Sequence, residues 1–205
     1  MKKSVVFILS ILLPVILLGA CRSPDPRDLR FESIDIVKLS AIRGVWDAVQ
    51  LRSDAKSDEI TLLKINFSSQ FDLVKLAKAN TLHVSYRAFE CSGGSLQGAP
   101  LFVLPDLHIK NFSIGSGVYS ELSDLERFRD SNGRLTYHVF MPISSDELKR
   151  LFGNGAVPHQ IPYFNPRAAR ADICLQLTAA AMWFGPTLNS NVVRVPEPEV
   201  SRLIN

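Results

Sequence analysis

The chain has 205 residues, of which 46% are hydrophobic and 21% are charged, and its formal net charge at pH 7 is +3. This length is enough for one domain with a well-packed core. Two of the basic residues, Lys2 and Lys3, precede an apolar run at the amino terminus, so the rest of the chain is close to neutral. Because the chain has neither a strongly basic balance nor a block of Lys and Arg, no nucleic-acid partner is expected.

Residues 1–20 have the organisation of a secretory signal peptide. Lys2 and Lys3 form a short cationic region, and the apolar run Val5–Leu18 that follows has about the length of a signal-peptide core. The run is shorter than the ~20 apolar residues that a transmembrane helix needs. Pro14 lies inside it and would kink a spanning helix. We therefore expect residues 1–20 to be removed on export.

The leader ends in Leu-Leu-Gly-Ala-Cys at residues 17–21, which resembles the lipobox of bacterial lipoproteins. The resemblance implies cleavage after Ala20, diacylglyceryl attachment to the Cys21 sulfur and acylation of the new amino group. A single acyl chain binds a membrane only reversibly, so three chains would give a lasting anchor. Residue 22 is Arg. An Asp at this position would resemble an inner-membrane retention signal, so its absence implies an outer-membrane anchor facing the periplasm. The alternatives are an ordinary cleaved signal peptide and an uncleaved membrane anchor.

Cys91 and Cys174 are the two cysteines left once Cys21 is lipidated. An even pair in an exported domain predicts a disulfide. Closing a loop of this length would stabilise the fold by about 4–5 kcal/mol in the chain-entropy model. The alternative, a reactive thiol or a metal ligand, lacks both a CxxC motif and a nearby histidine.

Hydrophobic periodicity predicts a mainly β fold. Residues 21–30 hold the lipidated cysteine and a polar, Pro-containing tether, and beyond them short β-branched and apolar runs recur between turn signals. The predicted strands are residues 34–39, 45–51, 60–67, 82–89, 101–103, 107–112, 135–141, 173–178 and 192–195. We therefore predict a single antiparallel β-sandwich over residues 31–196 with one to three short connecting helices, followed by a tail at 197–205.

Two short helices and one tight turn are predicted between the strands. Ser68 or Ser69 would cap a helix over residues 71–78. Residues 144–147 resemble a capping box that opens a helix ending near residue 152. Asn132-Gly133 predicts a type I′ hairpin between residues 125–129 and 135–141, with a capped helix at 121–128 as the alternative.

No motif indicates catalysis. The Ser-Gly-rich turns at residues 92–94 and 115–117 do not match the GxSxG pattern of serine hydrolases. The four histidines form neither HxH nor HExxH spacing, and no glycine-rich nucleotide motif is present. We therefore expect no enzyme activity, no catalytic residue, no metal and no cofactor. His83 and His138 fall on the polar sides of their predicted strands and are expected to face solvent.

Aromatic and basic residues are concentrated in the last loops. Exposed Trp and Tyr side chains beside arginines suit a protein-binding hot spot. The alternative is that these rings pack onto the end of the sandwich, since large aromatic side chains are usually well buried. The candidate partner-binding residues are Tyr163, Phe164, Arg167, Arg170, Trp183 and Phe184.

A small, cysteine-bridged β-domain on a lipid tether is similar in layout to the immunity lipoproteins that accompany secreted antibacterial effectors. The similarity implies a periplasmic module that binds and inhibits one protein partner. The alternative is a structural or assembly lipoprotein of a cell-envelope or secretion complex. A third hypothesis, a carrier of a small ligand, predicts an apolar cavity inside the sandwich.

Overall fold

The computed structural model describes residues 26–41, 59–80, 82–91, 100–101, 108–109, 112–113, 129–144, 146–147, 171–181 and 188–204. Within these ranges the chain forms nine strands and two helices. The strands are β1 (Arg30–Lys38), β2 (Thr61–Ser69), β3 (Leu82–Glu90), β4 (Pro100–Leu101), β5 (His108–Ile109), β6 (Phe112–Ser113), β7 (Leu135–Pro142), β8 (Ile173–Ala181) and β9 (Leu188–Val195). The helices are α1 (Leu73–Asn80) and α2 (Glu197–Ile204).

The strands form two antiparallel sheets. The first sheet has the order β1-β2-β7-β5-β6, and the second has the order β4-β3-β8-β9. The predicted strand pair at residues 173–178 and 192–195 is confirmed, since β8 and β9 pair as antiparallel neighbours. The prediction of a mainly β, antiparallel sandwich with short helices is confirmed.

The core lies between the inner faces of the two sheets. Ile65 and Phe67 of β2 lie beside Tyr137 and Val139 of β7, and all four are at most 2% exposed. Leu175 of β8 belongs to the same buried cluster. Side chains of this kind each stabilise the fold by about 1.5–3 kcal/mol when fully buried. The alternation predicted for residues 60–67 is therefore the pattern that directs these side chains into the core.

β2 and β7 are buried on their outer faces as well. Leu62 and Phe140 lie on that side and are both 0% exposed. The expectation that His138 faces solvent is wrong, because its side chain is 4% exposed and its ring packs edge-on against Phe140, with 5.2 Å between ring centroids. Alternation in the sequence separates the two faces of a strand but does not reveal whether the polar face is covered. The side chain of His83 lies outside the described residues.

Helix α1 begins two residues later than predicted. Asp72 caps it, with the Lys75 backbone N–H donating to the Asp72 carboxylate at 2.8 Å. Ser68 and Ser69, the predicted caps, instead complete β2. Leu73 is buried and its helix packs on β3.

Residues 197–204, predicted to be a tail, form helix α2. Val200 is 2% exposed and packs into the core, while Leu203 and Ile204 pack against it from the edge. Asp172 caps the helix by accepting a hydrogen bond from the Glu197 backbone N–H at 2.9 Å. This cap lies 25 positions earlier in the chain, so the local sequence gives no sign of it.

The turn before β7 differs by one residue from the predicted type I′ hairpin. Gly133 donates its backbone N–H to the Asp130 carbonyl at 3.0 Å, which makes Ser131 and Asn132 the central residues. Gly133 follows them with φ at +72°, a conformation that glycine adopts without strain. The Asp130 carboxylate selects this arrangement by accepting hydrogen bonds from the Asn132 and Arg134 backbone N–H groups.

Several predictions fall outside the described residues. These are the strand at 45–51, the alternatives for 121–128 and the helix beyond residue 147. The first contact of the predicted capping box is present, since the Glu147 backbone N–H donates to the Ser144 hydroxyl at 3.2 Å. In the part of the chain that the structure describes, no helix has the length and apolar character needed to span a membrane.

Candidate functional site

Polar side chains from three chain segments meet at the end of the first sheet where β1 begins. The antiparallel register causes the meeting, since Arg30 at the start of β1 pairs with Ser68, and Leu135 at the start of β7 pairs with Ser69. We call this group the entry cluster. Its members are Asp28, Ser68, Ser69, Arg129, Asp130 and Arg134.

Arg134 is the centre of the entry cluster and is only 6% exposed. Its guanidinium donates to the Ser68 hydroxyl at 2.7 Å and to the Ser68 carbonyl at 2.9 Å. It also donates to the Asp28 carbonyl at 2.5 Å and pairs with the Asp28 carboxylate at 3.2 Å. A buried charge is tolerated when it is paired and hydrogen-bonded in this way. Arg134 therefore fastens residue 28 to the end of β2.

The Asp28 carboxylate makes two further contacts. It accepts hydrogen bonds from the Ser69 hydroxyl and from the Gln70 backbone N–H, both at 2.6 Å. With Arg134 included, three donors from the end of β2 and the turn before β7 surround a carboxylate whose side chain is 22% exposed. Hydrogen bonds to an ionised acceptor are stronger than those between neutral groups. The segment before β1 is thus held by side-chain chemistry as well as by the strand ladder.

Arg129 and Asp130 extend the entry cluster to the turn before β7. The Arg129 guanidinium donates to the Gln70 carbonyl at 3.0 Å and to the Gly133 carbonyl at 2.7 Å. Asp130 shapes the turn itself through its bonds to the backbone of residues 132 and 134. The result is a braced end of the sheet in which the termini of β2 and β7 and the start of β1 are cross-linked.

Residues 26–29, which we call the entry segment, are also held from the second sheet, by Asn191 of β9. Its side-chain oxygen accepts from the Leu29 backbone N–H at 2.9 Å, and its side-chain nitrogen donates to the Leu29 carbonyl at 2.8 Å. A β-bulge in β9 opposite Leu177 sets this position, and the Ser190 hydroxyl accepts the Leu177 N–H there. Bulges commonly redirect a side chain in this manner. One amide therefore joins the two sheets at the edge formed by β1 and β9.

Tyr137 joins the core to the start of α1. Its hydroxyl accepts from the Leu73 backbone N–H and donates to the Phe71 carbonyl, both at 3.0 Å. Its ring stacks on Phe67 at a centroid distance of 6.0 Å. Burial raises the pKa of the Tyr137 hydroxyl far above its ordinary value, so it stays protonated at neutral pH. Its role is to hold the start of α1 on the sheet.

The Cys91–Cys174 disulfide is confirmed and lies in the second sheet. The two Cα atoms are 5.3 Å apart, within the range that a disulfide spans. Cys91 follows β3 directly and also donates its backbone N–H to the Asp172 carbonyl at 2.8 Å. Cys174 lies on β8 opposite Phe89 of β3. The bond thus joins two strands that are already neighbours.

A small apolar cavity lies between the sheets, as the carrier hypothesis would require, but its volume is about 10 Å³. That is room for about one water molecule, whereas ligand pockets measure ~300–1,000 Å³. This cavity does not hold a small ligand. The residues lining it are Leu29, Phe67, Tyr86, Val139, Leu175, Leu177 and Val193. Among the described residues, no group of three or more His, Cys, Asp and Glu side chains is arranged to hold a metal ion.

Cys21 and all six candidate partner-binding residues lie outside the described residues. The described strands still show where their segments join the fold. The segment with Tyr163, Phe164, Arg167 and Arg170 leads into the Ile173 end of β8, whereas Trp183 and Phe184 follow its Ala181 end. Eight residue steps separate these ends, or about 27 Å. The candidates therefore form two sets attached to opposite ends of one strand.

No local sequence pattern predicts the entry cluster. Asp28 lies in a polar segment that resembles a tether, and Arg134 follows a turn, so each has an ordinary local explanation. They are 106 positions apart, which leaves no local signal of their pairing. Comparison of the chain with protein-family models, with curated proteins and with solved structures finds no match.

Proposed function

We propose that the chain is a lipid-anchored, exported protein-binding module that inhibits one protein partner, in the manner of immunity lipoproteins. The proposed anchor is Cys21, and the proposed location is the periplasmic face of the outer membrane. One observation carries the proposal: Pro26, already buried against a disulfide-bridged β-sandwich, lies only five residues after Cys21, the cysteine of a segment that resembles a lipobox.

The disulfide supports an exported domain. Structural disulfides persist in oxidising compartments such as the periplasm and are rare in the bacterial cytosol. Cys91 and Cys174 are well placed for a structural role, since they join neighbouring strands within the sheet. The bridge and the leader thus point independently to the same compartment.

The contacts of the described polar side chains support the binding proposal by giving the sandwich a fixed framework. Arg134 and Asp28 bond to each other and to the main chain, and Tyr137 bonds two backbone groups. Each of these groups is engaged in holding the fold. A rigid sandwich of this kind can hold its own connecting loops in fixed positions for a partner to bind.

The test is a purification of the tagged full chain from its producing cells after cross-linking in the intact envelope. We expect one stoichiometric partner whose activity, assayed by itself, falls when the purified chain is added. A partner set of envelope components that fails to assemble without the chain would favour the assembly role instead. Recovery of no stoichiometric partner would contradict both functions.

The two sets of candidate residues allow the binding surface to be located. Trp183→Ala and a double Arg167→Ala, Arg170→Ala variant alter segments at opposite ends of β8. We expect one of them to weaken partner binding by tenfold or more, or about 1.4 kcal/mol, as for a hot-spot residue. Asn189→Ala, at an exposed position of β9, is the matched control. Equal affinity for all the variants would exclude these loops as the binding surface.

A further inference from the structure

We infer that the end of the sandwich carrying the entry cluster faces the lipid bilayer and contacts the headgroups of the leaflet that holds the anchor. This inference rests on the proposed lipidation of Cys21. It follows from three observations: the short distance along the chain to the anchor, the rigid attachment of the entry segment, and the character of the exposed side chains there.

The first observation is the length of chain between the anchor and the fold. Only residues 22–25 separate Cys21 from Pro26. A fully extended chain advances at most 3.6 Å per residue, so the Cα atoms of these two residues are no more than about 18 Å apart. An acylated Cys21 lies at the bilayer surface, and Pro26 must therefore lie close to it.

The second observation is that the chain from Pro26 onward is fixed to the sandwich. Pro26 is buried and Leu29 is 5% exposed. Asp28 is held by Arg134 and by the end of β2, and Asn191 grips both backbone groups of Leu29. The position of Pro26 relative to the sheets is therefore set, and the tether enters at the entry cluster.

The dimensions of the sheet make this placement directional. β1 runs from Arg30, beside the entry cluster, to Lys38, a distance of about 27 Å along the strand. Residues 39–41 form a single helical turn just beyond that far end. This length exceeds the reach of the tether, so the tether holds the Arg30 end of β1 near the bilayer and leaves the Lys38 end free to lie away from it.

The third observation is the chemistry of the surface around the entry cluster. Its exposed side chains are polar or charged: Arg27, Arg30, Gln70, Asp130 and Asn132. Of the large hydrophobic side chains exposed among the described residues, Ile36 lies on β1 beyond its midpoint, and Val192 lies on β9 next to Asn191. Such a surface matches hydrated headgroups and does not insert among acyl chains. We therefore expect these side chains to touch the lipid headgroups without entering the hydrocarbon layer.

The test measures the height of two positions above the membrane. Asn132→Cys places a thiol on the turn of the entry cluster, and Ala41→Cys places one beyond the far end of β1; both positions are exposed. In the lipidated protein Cys21 is acylated and Cys91 is bonded to Cys174, so the added cysteine is the single free thiol. Each variant is labelled with a donor fluorophore and placed in phosphatidylethanolamine–phosphatidylglycerol vesicles that contain acceptor-labelled lipid.

We expect energy transfer to the lipid acceptors to be several-fold more efficient from residue 132 than from residue 41. Equal transfer, or stronger transfer from residue 41, would overturn the inference. The mass of the amino-terminal peptide is measured on the same preparation. An acylated Cys21 with no difference between the labels refutes the orientation alone, whereas an unmodified Cys21 refutes the proposed anchoring and the orientation with it.

A variant with a longer tether tests whether the short tether sets the orientation or whether this surface adheres to the bilayer by itself. Twenty Gly and Ser residues inserted between Arg22 and Pro26 add a root-mean-square span of about 25 Å. We expect the difference between the two labels to shrink to less than half in this variant. A difference that persists unchanged would show that the tether does not set the orientation and would overturn the inference.

Discussion

The disulfide and the entry cluster both join parts of the chain that are far apart in sequence, but they act on different states of the protein. Cys91 and Cys174 are 83 positions apart. Cys91 follows β3 and Cys174 lies on β8, and main-chain hydrogen bonds already hold these two strands together. Asp28 and Arg134 are 106 positions apart, and side-chain bonds supply their connection.

This difference determines what each connection contributes. In the chain-entropy model a disulfide between paired strands stabilises chiefly by restricting the unfolded chain. The entry cluster stabilises the folded state, because breaking it leaves buried polar groups without partners. The first connection maintains the sandwich as a whole, whereas the second determines where the chain enters it.

The largest expected effect is removal of the disulfide. The Cys91→Ser, Cys174→Ser double variant should lower the free energy of unfolding by about 4–5 kcal/mol, the loop entropy that the bond removes. Urea unfolding under oxidising conditions measures this loss. Reductant should lower the stability of the wild type by a similar amount and leave the double variant unchanged. A wild-type protein insensitive to reductant would contradict the prediction.

Loss of the central arginine should come next. Arg134→Met keeps much of the apolar stem but removes the guanidinium. We expect a loss of about 3 kcal/mol, because the Asp28 carboxylate loses its cation and the Asp28 and Ser68 carbonyls each lose a donor. Arg202→Met is the matched control, since Arg202 forms an exposed pair with Glu199 that is worth about 0–1 kcal/mol.

Amide hydrogen exchange distinguishes the entry cluster from the disulfide. In Arg134→Met the Gln70 amide, which donates to Asp28, should exchange much faster while the amides of β8 stay protected. The disulfide variant should accelerate exchange across the domain without singling out Gln70. Uniform acceleration in both variants would show that the entry cluster is not a separate unit.

Tyr137 provides a third, pH-dependent way to weaken the same end of the fold. Tyr137→Phe leaves the Leu73 N–H and the Phe71 carbonyl without their partner, at an expected cost of about 1–3 kcal/mol at neutral pH. The comparison of urea midpoints at constant slope measures it.

The alkaline behaviour of Tyr137 has a definite sign. Burial holds its pKa in the folded state above the unfolded value near 10, so above that pH the unfolded chain loses a proton that the folded protein retains. Wild-type stability should therefore fall by up to about 1.4 kcal/mol for each pH unit above about 10. The extra slope relative to Tyr137→Phe reports this residue; identical slopes would refute the assignment.

The sequence predicts those features whose interacting residues are close together along the chain. Leu63, Ile65 and Phe67 alternate because one face of β2 packs in the core, and that pattern is local. The cysteine pair was predictable because only two cysteines remain after Cys21. By contrast, the partner of Asp28 and the cap of α2 come from distant positions, so no window of sequence contains them.

The same limit explains why β9 was predicted too short. Its first half reads Leu-Asn-Ser-Asn, which lacks the β-branched run of residues 192–195 and resembles a turn. The Ser190 hydroxyl and the Asn191 amide are nevertheless needed there, one to satisfy the bulge and the other to bind Leu29. Residues that disfavour a strand locally are required by the contact between the sheets.

The smallest expected effect comes from the contact between Asn191 and Leu29, and it tests whether the two sheets hold the entry segment together or separately. Asn191→Ala removes the two hydrogen bonds that join β9 to the entry segment and should cost about 1–2 kcal/mol, less than Arg134→Met. Asn189→Ala, two residues away and exposed, should change stability by less than about 0.5 kcal/mol. If Asn191→Ala and Arg134→Met act on one unit, the double variant should lose less than the sum of the two single losses. Strict additivity would instead mean that each sheet holds the entry segment independently.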